Sequence, residues 1–241
     1  MRSFGKTDVG EKRQVNQDFV YYSDKPVGKL PNLYIVADGM GGHKAGDVAS
    51  RFTVQQFVNH IKESKGKNPI SIIDDAIIKA NEEIIDLAAT SPDYEGMGTT
   101  LVALSIIDKS LFIANIGDSR LYTINKEKIK QITRDHSFVE EMVSNGELSR
   151  SSARTHEKKN IITRAVGAER DIISDIFEIS YHKGDLILMC TDGLSNMVDD
   201  ETIRYIALKY QDLEKATNRL IEEANHNGGK DNISVLLVRP E

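Results

Sequence analysis

From Gly98 onward, four short β-rich runs follow one another with little but turn residues between them: TTLVALSIID, SLFIANIG, SRLYTIN and KIKQIT. Asp108-Lys109, Gly117-Asp118 and Asn125-Lys126-Glu127 supply the turns, and the runs read as consecutive antiparallel strands. On either side the spacing changes to that of helices. Val54, Phe57, Val58 and Ile61 lie on one helical face, and Ile73, Ala76, Ile77, Ala80, Ile84, Leu87 and Ala88 form a long stripe on the next. Amphipathic spacing returns over about 199–209 and 212–226, before a last strand in NGGKDNISVLLV. Strands are also expected at 2–8, 18–23 and 33–37, and in NIITRAVG, DIFEIS and DLILMC. Strands and helices are thus segregated and not alternating, which predicts an α+β chain: an antiparallel β-sandwich covered by helices. Residues 136–160, polar and mostly helical with few apolar anchors, are expected to form a mobile flap.

The strand over 33–37 ends in Asp38 and a cluster of glycines, Gly39, Gly41, Gly42 and Gly46, before helical spacing resumes at Ala45. Glycines let the main chain approach a ligand closely, so a backbone carbonyl can stand beside the carboxylate. That pairing suits a hard metal ion. A phosphate cradle of the GxxxxGK[ST] kind is absent, and the acid precedes the glycines. A tight strand-to-helix connection accounts for the stretch equally well on its own.

The other acids weigh in. Asp118 follows LFIANIG, Asp192 follows DLILMC and repeats the design at Asp38, Asp231 opens the final strand, and Asp18 opens an early one after the polar segment RQVNQD. Any one of them is ordinary turn chemistry. Five aspartates at strand boundaries can all lie at one end of a sandwich, the placement a rigid scaffold gives a site. Two carboxylates about 4 Å apart repel by roughly 4 kcal/mol at an effective dielectric near 20, a cost that a cation or a proton relieves. Oxygen ligands select Mg, Mn or Ca, and the shortage of His and Cys disfavours Zn, Cu or Fe. Arg13 lies five residues before Asp18, as a surface pair or, beside a phosphate, as a bidentate fork.

At 241 residues, with no linker, repeat or low-complexity tract, the chain is expected to be a single domain over 1–241. Net charge is −6 with acids and bases interspersed, which argues against nucleic acid and against a metal-dependent nuclease. No apolar run approaches a membrane span. Cys190 is the sole cysteine, so no intramolecular disulfide can form. A cytoplasmic monomer is the expectation. A cysteine phosphatase would need CxxxxxR, and Asn196 stands where that Arg belongs. The metallophosphatase pattern GDxHG with GDxxDRG is missing too.

The motifs RQVNQD, DGMGGHKAGDVAS, GMGTT, IGDSRLY, DHS, TDGLSN and NGGKDNIS occur in this order over nearly the whole chain. Together they resemble the bacterial branch of the metal-dependent type 2C (PPM) serine/threonine protein phosphatases. The resemblance implies a two-sheet antiparallel sandwich flanked by antiparallel helix pairs, α-β-β-α, with a centre of two Mn or Mg ions at one end. It implies that Asp38 bridges both ions, that the Gly39 carbonyl binds one, and that Asp192 and Asp231 bind the other. Asp18 would act mainly through bound water, Asp118 and Asp192 match ligands of a third ion in bacterial members, and Arg13 matches the grip on substrate phosphate. The implied reaction is hydrolysis of phosphoserine and phosphothreonine in proteins by a hydroxide bridging the two ions, opposing a Ser/Thr kinase. A catalytically inactive regulatory module of the same fold is the alternative. Met40 stands where human-type members carry His, so the leaving-group proton is expected to come from water, with His43 as a nearby loop histidine. Gly98, Thr99, Thr100 and Asn232 are expected to shape turns, and Asp135 and His136 to form a buried structural contact.

Overall fold

The computed structural model describes residues 1–42 and 45–240, so His43 lies outside the described residues. Two antiparallel sheets stack face to face. One has the order β1 (Arg2–Asp8), β11 (Ile233–Arg239), β10 (Leu186–Cys190), β7 (Arg120–Ile124), β8 (Ile129–Gln131). The other has the order β2 (Asp18–Ser23), β3 (Leu33–Met40), β5 (Leu101–Ile107), β6 (Ser110–Ile116), β9 (Asp175–Ser180), with β4 (Gly98–Thr99) paired to β3.

Alternation along the central strands explains the layering. In β3, Leu33, Ile35 and Ala37 join one apolar cluster while Tyr34 and Val36 join another. In β10, Leu186, Leu188 and Cys190 face one way and Ile187 and Met189 the other, and β11 splits in the same manner. A strand with two apolar faces is covered on both sides. Tyr34, Val36, Val102, Leu104, Ile187 and Leu236 fill the layer between the sheets. Helices α1 (Ala45–Glu63) and α2 (Pro69–Ala88) pack over the second sheet through the predicted stripes, with Phe57, Ile61, Ile77 and Ile84 fully buried. Burying each such side chain contributes about 1.5–3 kcal/mol. Asn68 caps α2 by accepting from the Ile70 N–H at 2.9 Å, and Pro69 sits at a position that needs no donor.

After β8 come α3 (Phe138–Ser144) and α4 (Arg150–Ala153), the short helices of the predicted flap, whose one buried apolar side chain is Val139. A single turn, α5 (Asp192–Ser195), follows β10, and α6 (Asp200–Lys209) and α7 (Leu213–His226) cover the first sheet. One expected strand is absent. NIITRAVG, 160–167, makes only isolated bridges, Ser137 with Ile162 and Thr99 with Val166. Its Ile161 is exposed, so two adjacent isoleucines there do not mark a covered strand. Among the described residues no helix is long and apolar enough to cross a membrane.

Candidate active site

The register of β2 on β3 sets Asp18 directly opposite Asp38. Both share the parity of Val36, so two carboxylates end the layer between the sheets. Asp18 is buried, and its Oδ2 accepts from Thr191 Oγ1 at 2.8 Å and from Ser234 Oγ at 2.7 Å. Those hydroxyls belong to the opposite sheet, one just after β10 and one within β11. Asp18 therefore fastens the two sheets together at this rim.

Threonines hold the backbone of Asp38. Its N–H donates to Thr100 Oγ1 at 2.8 Å, and its carbonyl accepts from the Thr100 N–H and from Thr99 Oγ1, both at 2.9 Å. Thr100 Oγ1 also shares a 2.8 Å hydrogen bond with Ser119 Oγ, next to the buried Asp118 in the turn between β6 and β7. At Gly39 there is no room for a side chain, because a Cβ would stand 1.9 Å from the carbonyl oxygen of Gly46 in α1. Asp192 begins α5, and its Oδ2 accepts from Asn196 Nδ2 at 2.8 Å. Lys159 reaches in from the flap and donates to Asn196 Oδ1 at 3.2 Å. Asp231 lies in the turn two residues before β11, where its Oδ1 accepts from the Asn232 N–H at 2.9 Å and its Oδ2 from Arg13 Nη2 at 2.8 Å.

Five carboxylates from five separate segments thus meet within electrostatic reach. Burial lifts the Asp38 carboxyl well above the usual range, and Asp18, Asp192, Asp118 and Asp231 add to it in that order. Asp18 is pushed up to about 7, mainly by burial, against the two hydroxyl bonds that favour its charge. Asp192 is pushed up to about 6 by burial and then by Asp231, with Arg120, Lys159 and Arg13 opposing. Burial, followed by Asp192 and Asp135, raises Asp118. Such a cluster demands protons or a counter-cation.

The residues fit a hard divalent ion. The Oδ1 atoms of Asp18, Asp118 and Asp192 are buried with no hydrogen-bond partner among the described residues, and every ligating atom here would be oxygen. Among the described residues, no group of three or more acidic, histidine or cysteine side chains is arranged to hold a metal ion by itself. Ions such as Mg keep several waters and bind through one or two carboxylates, so an open arrangement suits them.

Sequence reasoning had not singled out Arg120, Lys159, Ser119, Thr191 or Ser234. Ser119, Arg120, Thr191 and Ser234 lie inside the motifs IGDSRLY, TDGLSN and NGGKDNIS, and Ser234 also holds an inward parity position in a strand otherwise apolar from Ile233 to Val238; Lys159 lies outside every motif. The Arg120 guanidinium makes a forked, part-buried pair with Asp135, with bonds of 3.0, 3.0 and 2.6 Å. His136 Nδ1 accepts from the Gly117 N–H at 3.1 Å, and its Nε2 lies 3.2 Å from Asp175 Oδ2. The expected structural contact is therefore two separate ones, both bracing the turn that carries Asp118. Between this rim and the flap lies a cavity of about 160 Å³, with Asp118, Arg120, Arg154, Lys159, Asp192 and Asn196 in its wall.

Residues 9–237 match the family described as Protein phosphatase 2C. The chain is 39% identical over 241 residues to the serine/threonine phosphatase stp of Listeria monocytogenes, covering 97% of this chain and 93% of that one. The solved structure of serine/threonine phosphatase Stp1 from Staphylococcus aureus superimposes with a TM-score of 0.92 at 33% identity, covering 99% of this chain and 94% of that chain. A structure of the catalytic domain of serine threonine protein phosphatase PstP in complex with two manganese ions superimposes with a TM-score of 0.85 at 34% identity, over 98% and 96% of the two chains.

Proposed function

The chain belongs to the protein phosphatase 2C family, and we propose that it removes phosphate from serine and threonine of phosphorylated proteins at the acidic rim described above. The observation that carries this reading is the convergence of Asp18, Asp38, Asp118, Asp192 and Asp231 at one end of the sandwich, where the other four all raise the proton affinity of Asp38. Asp38, Gly39, Asp192 and Asp231 would hold two Mn or Mg ions, Asp18 would support them through water, and Asp118 with Asp192 would hold a third. When bound, the ions supply neutralisation of phosphate oxygens and a nucleophilic water near neutral pH.

The chain's own residues do the rest. Thr99 and Thr100 fix Asp38 through its backbone, so its carboxylate would lose little entropy on taking up an ion. Asn196 holds Asp192 Oδ2 and leaves Oδ1 free to ligate. Arg13, half exposed beside Asp231, presents a planar fork to an entering phosphate dianion. Water is the proton source for the leaving alkoxide in this reading. Residues 1–241 act as one phosphatase domain in this reading, with 136–160 as its flap, as a monomer in the cytoplasm opposing a Ser/Thr kinase. The retained carboxylates leave no observation in favour of a catalytically silent module.

The test is hydrolysis of a phosphothreonine peptide. Turnover should require added Mn or Mg and stop on chelation; undiminished turnover in a chelator would overturn the reading. Arg13→Ala should raise KM about tenfold, the share of one charged hydrogen-bonding group, with kcat little changed.

A further inference from the structure

Residues 9–17 form the loop that carries Arg13, and one side chain from the far end of the chain holds it at three points. The amide oxygen of buried Asn232 accepts from the Gln17 N–H at 2.9 Å, while its Nδ2 donates to the carbonyls of Val9 at 2.9 Å and Val15 at 3.0 Å. Both amide hydrogens and the oxygen are thereby used, and the beginning and end of the loop are drawn to the same atoms. Neighbouring contacts complete the clamp. The Glu11 and Lys12 N–H groups donate to the Gly229 carbonyl at 2.8 and 3.1 Å, and Gly10, at φ +78°, passes so close to the Asp231 carbonyl that a Cβ would come within 2.2 Å. The Gln17 carbonyl in turn accepts from the Gly39 N–H at 3.0 Å and from Ser50 Oγ at 2.6 Å.

We propose that Asn232 is a positioning residue for phosphate capture: its side chain sets the loop so that Arg13 stands beside Asp231 before any substrate arrives. The proposal deepens the function above and rests on Arg13 as the phosphate grip. A long cationic side chain on a free loop loses conformational entropy on each binding event, and a loop fixed in advance avoids that loss. The Asn232 N–H to Asp231 bond is made by backbone, so side-chain changes at 232 leave that bond in place.

Asn232→Ala and Asn232→Ser, saturated with Mn, should raise KM for a phosphothreonine peptide about tenfold while kcat stays within about twofold. Amides of Glu11, Lys12 and Gln17 should exchange hydrogen faster, and those of β11 should not. Combined with Arg13→Ala, Asn232→Ala should add almost nothing to KM, since the group it positions is gone. A KM rise that persists in full without Arg13, an unchanged KM, or unchanged loop exchange would overturn the proposal, as would failure of both variants to fold. If Arg13→Ala alone leaves KM unaltered, the phosphate-grip assignment fails and Asn232's role in capture fails with it, while the exchange measurement still shows whether Asn232 orders the loop.

Discussion

Asp18 is buried and held by two hydroxyls from the opposite sheet, whereas Arg150, in a four-residue helix across the cavity, meets Glu140 at 3.2 Å with 75% of its side chain in solvent. The rim is built at the ends of strands whose apolar residues are covered on both faces. The flap opposite it is built from turns, short helices and exposed ion pairs, with Lys159 as its link to Asn196 and hence to Asp192. The acids proposed to hold ions sit at the ends of covered strands, and the segment across the cavity from them sits on the part with few buried apolar contacts to lose by moving.

That contrast breaks if the rim tolerates change as the flap should. Asp38→Asn is expected to lower kcat/KM by roughly a thousandfold or more with little loss of folded protein, because in the proposed reading Asp38 would hold the ions that neutralise the phosphate, and a thousandfold is about 4 kcal/mol at about 1.4 kcal/mol per tenfold; circular dichroism and phosphopeptide turnover check both halves. Less drastic is the pH behaviour of the metal-free protein. Asp18 and Asp192 titrate near 7 and 6 when folded against an ordinary value of 3.8, so the folded state holds protons that the unfolded state has released. The stability this confers is full below about pH 4 and is lost as pH rises through 6 to 7. Melting of the metal-free protein should therefore fall between pH 5.5 and 7.5, added Mn should raise it more at the higher pH, and Asp18→Asn should flatten the dependence. A melting temperature that climbs over this interval would count against a strained acidic rim. Smallest is Arg150→Ala, an exposed pair expected to change stability by less than about 1 kcal/mol.

Much of the fold is legible in the sequence, since period-two and helical spacings place the sheets and the helix pairs. Residues 160–167 misled because Ile161 and Ile162 look like strand while their backbone makes only single bridges. The aspartates were legible one by one as acids at strand boundaries, yet their meeting depends on pairings such as Asp18 with Asp38, 20 residues apart in sequence by subtraction, and Asp18 with Ser234, 216 apart. No local pattern encodes those. Asn232 could be suspected of shaping a turn, but its three bonds to the far end of the chain became visible only when both ends lay side by side.

The strand that follows Asp231 lies between β1 and β10, inside its sheet and near the end of the chain. It pairs along both edges, so Ser234 holds Asp18 only once β1 and β10 have docked on either side of it. A chain in which this strand failed to insert would leave Asp231 and Asn232 unanchored and open its sheet in the middle. The acidic rim and the closed sheet are therefore assembled by one and the same docking event.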